Sequence, residues 1–122
     1  EGLKQWFYTA AAVGSEAIRI NTGSADDDDA INRVIEGYRE LAAVGADAGV
    51  RLLMENHGGI SSYAADVQRV LDGVASDNFA TCPDTANFAP EHWDGGMRAL
   101  APQAFKIIIA AGIERQLSLM EV

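Results

Sequence analysis

Cysteine is nearly absent. Cys82 stands alone, so no intrachain disulfide can form and the fold must rest on packing. Such sparing use fits a reducing compartment, and a cytoplasmic protein is expected. Positive charge is scarce too: nine Lys and Arg oppose eighteen Asp and Glu, for a formal charge of −9. The nine are scattered singly, without the basic cluster that binds phosphates. This speaks against a nucleic acid partner and against an anionic membrane surface. No apolar run approaches the ~20 residues of a membrane span, and the N-terminus lacks an apolar signal region. Histidine occurs only as His57 and His92, too few for a multi-histidine metal centre. An initiator Met is also lacking, and the first residues already read as helix, so a fragment or a processed chain is expected.

What is present alternates. Leu3, Trp6, Phe7, Ala10 and Ala11 recur at helical spacing, and Gly14 punctuates. Residues 17–21 read as a short strand. The acidic run Asp26, Asp27, Asp28 and Asp29 is read as a helix start, where carboxylates meet free N–H groups and the positive dipole end. A cation site is the competing reading, but neighbouring helical residues do not converge on one ion. Ile31, Val34, Ile35, Tyr38, Leu41 and Ala42 continue that helix, which Gly49 can close. Residues 50–56 predict a buried strand. Ser61 or Ser62 is expected to cap a helix carrying Val67, Val70, Leu71 and Val74. Residues 78–82 predict a third strand and 90–101 a helix weakened by Gly95 and Gly96. Residues 105–111 fit a strand or a buried helix, and 117–122 a last strand. Strands alternating with helices over short connections predict parallel pairing with right-handed crossovers in a single α/β domain spanning residues 1–122.

Parallel α/β architectures collect their chemistry at the C-terminal strand ends. Three predicted strand ends carry a carboxylate, namely Glu55, Asp84 and Glu121. A charge following an apolar run is costly unless paired or metal-bound, and a divalent cation would relieve three such groups on one rim. Unrelated loop carboxylates are the alternative. His57, two residues past Glu55, can serve as a ligand, a substrate contact or an orienting donor. His92 reads as a solvated helix residue, and Cys82 as a buried structural thiol, since little positive charge surrounds it. Gly58 and Gly59 are either a phosphate cradle or a simple turn.

Three segments carry a resemblance. Ile18-Arg19-Ile20-Asn21-Thr22-Gly23, Arg51-Leu52-Leu53-Met54-Glu55-Asn56-His57-Gly58-Gly59 and Thr81-Cys82-Pro83-Asp84-Thr85-Ala86-Asn87-Phe88 resemble the sugar phosphate isomerase/epimerase family of xylose-isomerase-like TIM barrels. At 122 residues the chain is about half of a (β/α)₈ barrel, which typically needs about 250. The resemblance implies a partial TIM barrel of strands four, five, six and eight, with the seventh-strand segment and its histidine lacking a counterpart. Residues 101–106 run directly into 107–112, read as the end of the helix before strand eight.

The resemblance further implies one divalent ion (Mn²⁺, Mg²⁺, Co²⁺ or Zn²⁺) held by Glu55, Asp84 and Glu121. Glu55 and Glu121 would double as acid/base groups on opposite faces of a small sugar or polyol, working through an enediolate. His57 and Asn87 would lie on the substrate side. A homo-oligomer is expected, because half a barrel leaves open sheet edges. The alternative is a non-catalytic partial barrel that folds by self-association. A weaker one is a metal-dependent hydrolase resembling endonuclease IV, disfavoured by the acidic charge and the two histidines.

Overall fold

A computed structural model describes residues 1–108. Helix α1 (Gly2–Ala12) leads into strand β1 (Ala17–Arg19), long helix α2 (Asp28–Ala48) and strand β2 (Arg51–Met54). A 3₁₀ turn (Gly59–Ser62) precedes α3 (Ala64–Val74), β3 (Phe79–Thr81), α4 (Pro90–Leu100) and a second 3₁₀ turn (Ala101–Gln103). The three strands form one parallel sheet in the order β1-β2-β3, with Ile18 opposite Leu52 and Leu53 opposite Ala80. Parallel neighbours joined through helices are the β-α-β arrangement that the alternation predicts. Among the described residues no helix is long and apolar enough to cross a membrane.

Local chemistry explains the long helix. The carboxylate of Asp27 accepts from Ala30 N at 2.6 Å, capping α2, while Asp28 and Asp29 occupy its first turn. The acidic run is therefore a helix start. Gly49 closes α2 in the left-handed conformation, φ 71°, which a residue with Cβ rarely adopts. Ser61 and Ser62 behave differently from the expected cap. Both lie within the 3₁₀ turn, and Tyr63 holds the N-cap position of α3 without a side-chain bond. Ser61 Oγ instead accepts from His57 N and donates to Gly58 O, both at 2.8 Å. That hydroxyl is consumed in tightening the loop after β2.

The two sheet faces differ. Leu52, Met54 and Phe79 point into the main core, packed against Phe7, Ile31, Tyr38, Leu41, Val67 and Val70 from the helices. Leu53, Ala80 and Cys82 form a smaller apolar cluster, joined by Ala17 and Ile108. Strand side chains alternate with period two. The parity of Leu53 and Cys82 therefore carries Glu55 and Asp84 onto that same inner side. Asn78 ties helix to sheet, its Nδ2 donating to Ala42 O at 3.1 Å and Val50 O at 2.9 Å.

Residues 104–108 correct one expectation. Residues 107–108, read as entering the end of a helix at 107–112, instead follow 104–106 alongside β3 and the residues after it, with parallel bridges from Ala104 to Thr81 and from Ile108 to Asp84. Phe105 N donates to Thr81 O and Ile108 N to Pro83 O, both at 2.9 Å. The physical reason is local. Pro102 withholds a backbone N–H as the helix ends, and the apolar 105–108 run finds open strand-edge partners on β3. The sheet position beyond β3 is thus filled by a segment without histidine. The remainder of the ambiguous 105–111 run, and the predicted last strand at 117–122 with Glu121, lie outside the described residues.

Candidate active site

The backbone delivers two carboxylates to neighbouring strand ends. Glu55 follows the last residue of β2 and is 5% exposed; Asp84 follows β3 by three residues and is 8% exposed. Asn56, itself 1% exposed, joins them. Its Oδ1 accepts from Asp84 N at 2.6 Å and its Nδ2 donates to Asp84 O at 3.0 Å. One amide thereby satisfies both main-chain groups of a buried residue on the next strand and locks the two loops in register. The Asp84 carboxylate caps its own turn, Oδ1 accepting from Ala86 N at 2.7 Å.

Glu55 has partners on both oxygens. Oε1 accepts from Asn87 Nδ2 at 2.8 Å and lies 3.4 Å from His57 Nδ1. Oε2 is paired with Arg19 Nη1, which also donates to Asn21 Oδ1 at 2.8 Å. Asn87 Nδ2 and His57 Nδ1 are themselves 3.2 Å apart. His57 and Asn87, both in contact with the buried carboxylate, are exposed and line a surface pocket with Gly58.

The structure thus gathers Glu55, His57 and Asn87, ties the Asp84 backbone to the loop after β2 through Asn56, and leaves Glu121 outside the described residues. His92 is exposed on α4 with its ring edge-on to Tyr63, centroids 5.4 Å apart, consistent with a solvated helix position. Two contributors had no role assigned from sequence, Arg19 and Asn56. Period two was the available signal for Arg19, since Ala17 and Arg19 share the inner parity of Leu53 and Glu55. For Asn56 the signal was an amide at the end of an apolar run, between Glu55 and His57.

Cys82 is 5% exposed. Burial pushes its thiol above the ordinary value, and the nearby Glu55 charge adds to this; Asp84 acts in the same direction and Arg19 opposes. A protonated, enclosed sulfur is a poor nucleophile. The native chain is expected to react with iodoacetamide at pH 8 at least about 100-fold more slowly than the urea-unfolded chain. Mass spectrometry over time measures this, and comparable rates would show that Cys82 is accessible.

Among the described residues no group of three or more His, Cys, Asp and Glu side chains is placed to hold a metal ion. Glu55 and Asp84 nonetheless offer hard oxygen donors from adjacent strand ends. That donor chemistry fits a cation of the Mg²⁺ type, which commonly takes one or two carboxylates and completes its shell with water or substrate oxygens.

Comparison with known proteins agrees with this architecture. A family model described as xylose isomerase-like TIM barrel matches residues 1–118. The chain is similar to a xylose isomerase domain protein from Planctomyces limnophilus, with TM-score 0.75 and 18% identity, over 87% of this chain and 39% of that one. It is also similar to a xylose isomerase-like TIM barrel protein from Mycobacterium smegmatis in complex with magnesium, with TM-score 0.75 and 16% identity, over 88% and 43%. A third similar structure is a D-allulose 3-epimerase from Methylomonas sp., with TM-score 0.72 and 15% identity, over 86% and 41%. The chain therefore spans about two fifths of the length of these structures. No curated protein matches it.

Proposed function

The chain belongs to the xylose isomerase-like TIM barrel family, and from that premise we propose that it carries part of the site of a divalent-metal-dependent sugar or polyol isomerase/epimerase. The observation that carries the reading is the buried carboxylate of Glu55 at the end of the central strand, in contact with His57 and Asn87. In this reading Glu55 Oε1 takes a proton from the carbon beside a substrate carbonyl, giving an enediolate, and a proton is returned to complete the isomerisation. Glu121 is the second acid/base group. Asn87 and His57 bind substrate hydroxyls and orient the reacting carbon, while the apolar cluster of Leu53, Ala80 and Cys82 keeps water from beneath the site. Glu55, Asp84 and Glu121 would hold the ion, which when bound supplies Lewis-acid polarisation of the substrate carbonyl. The protein is taken to act in the cytoplasm and to have no nucleic acid partner.

The test is direct. The purified chain is incubated with Mn²⁺ in D₂O with a panel of ketoses, phosphorylated and not, and followed by proton NMR. Deuterium is expected to enter beside the carbonyl of at least one sugar. No incorporation across the panel would overturn catalysis by this chain.

A second reading, a partial barrel that self-associates, draws on a different observation. Leu3, Trp6, Tyr8 and Val13 of α1 and its C-cap are more than half exposed, and among the described residues β1 pairs only with β2. Apolar surface beside an open strand edge favours a homo-oligomer. The two readings are compatible, since association would cover surface without occupying the site.

A further inference from the structure

Arg19 has a part in this site that neither the family match nor the acid/base reading assigns. We propose that Arg19 is a built-in counter-cation that holds Glu55 in place and competes with a divalent metal ion for it. The inference rests on the metal-site reading above and adds to it a residue and a direction of effect.

Ala17 faces the inner apolar cluster, so Arg19, two residues on, leaves β1 on the same side. Its register partner is Leu53, two residues before Glu55 on the adjacent strand. The guanidinium therefore needs only to reach along the strand direction to meet Glu55 Oε2. There its Nη1 is shared with Asn21 Oδ1, so two acceptors fix the end of the side chain.

Charge accounting singles the residue out. The Glu55 side chain is 4% exposed, and a buried carboxylate is strongly destabilising unless a counter-charge lies close. Other basic groups are engaged elsewhere: Lys4 with Glu1 and Glu40, Arg69 with Asp28 and Asp66, Arg98 with Asp94, and Lys106 with Glu16. Arg39 donates to Gly73 O, and Arg51 lies over the Phe105 ring. Among the described residues, Arg19 is the permanently charged cation paired with Glu55. A fork-shaped donor that stays charged suits this task better than an ammonium.

A second positive ion at Glu55 and Asp84 must work against this charge. Coulombic repulsion in a partly desolvated site lowers metal affinity, and removing the guanidinium should raise it. Arg19 also has somewhere to go. Its residue lines the groove between α1 and β1 with Leu3, Trp6, Ile18 and Ile20, and its side chain is 39% exposed.

Mn²⁺ alone is the probe, with free ion counted by its electron paramagnetic resonance signal. Arg19→Gln is expected to bind Mn²⁺ about tenfold more tightly than the wild type. Arg19→Lys, which keeps the charge, should stay within about threefold of it, and Glu55→Gln should lose the tight site. Equal or weaker binding by Arg19→Gln overturns the proposal, as does absence of binding in every form or equal tightening by Arg19→Lys. Should Arg19→Gln be unfolded without metal by circular dichroism, folding on addition of Mn²⁺ supports the assignment, and failure to fold with it overturns it. The isomerase reading is judged separately by deuterium incorporation into ketoses. Failure there with tight Mn²⁺ binding by Arg19→Gln would leave the counter-cation assignment standing.

Discussion

Replacing Glu55 with Gln is expected to lower proton exchange at the substrate carbon by about 10³-fold, within the range that one positioned acid/base group contributes. Gln keeps the size of the side chain and can still accept from Asn87 Nδ2, so packing around the 5%-exposed site changes little. What it loses is the carboxylate's ability to take a proton and its attraction for a cation. It also strands Arg19, whose guanidinium then keeps only Asn21 Oδ1 of the two acceptors it has in the wild type. Since Arg19 is partly exposed, water can take over, and the melting temperature should move by only a few degrees. A drop in exchange with an intact fold identifies Glu55 as the proton carrier. Exchange within threefold of wild type would remove it from that role.

Asn56→Ala should produce the largest loss of stability among polar substitutions at the site. Truncation leaves both Asp84 N and Asp84 O without their partner at a residue 8% exposed. Each buried unsatisfied group costs about 1–3 kcal/mol, so a total near 3 kcal/mol is expected. For a domain of this size that corresponds to a fall in melting temperature of roughly 10–20 °C. Asn56→Asp should be damaging for another reason, because it sets a third carboxylate between Glu55 and Asp84. Thermal unfolding by circular dichroism measures both. A fall below about 3 °C for Asn56→Ala would mean that water replaces the amide.

The helices were the most legible part of the sequence. Ile31, Val34, Ile35, Tyr38, Leu41 and Ala42 mark a face at helical spacing, and capping chemistry set both ends of α2, Asp27 and Gly49. The strand-end positions of Glu55 and Asp84 were legible because a charge after an apolar run is costly enough to demand a reason. Arg19 was harder to see. On a three-residue edge strand a lone arginine reads as surface, and only the parallel register with β2 brings it to Glu55. Ser61 was misread because a serine before a helix offers its oxygen equally to a cap or to a turn, and the Gly58–Gly59 backbone decided for the turn. Gly58 takes φ 82° and Gly59 φ 53°, and Ile60 N donates to Ala25 O at 3.0 Å, which pulls the loop toward β1's side. The run 105–111, described here to Ile108, was ambiguous for a tertiary reason. A short apolar run becomes a strand only when an open edge lies beside it, and periodicity does not report that edge.

Strand order in this sheet equals chain order, and residues 104–108 continue the progression beside β3. Among the described residues each strand is hydrogen-bonded to its sequence neighbour, so no described segment is threaded between two strands. A sheet of this kind grows by accretion. One more strand-and-helix unit can be joined at either edge without disturbing a pairing already made, and one can be removed with the loss of a single seam. Duplication and fusion of gene segments therefore have an easy route in this architecture, and the Glu55–Asp84 rim can be inherited intact while the number of units around it changes.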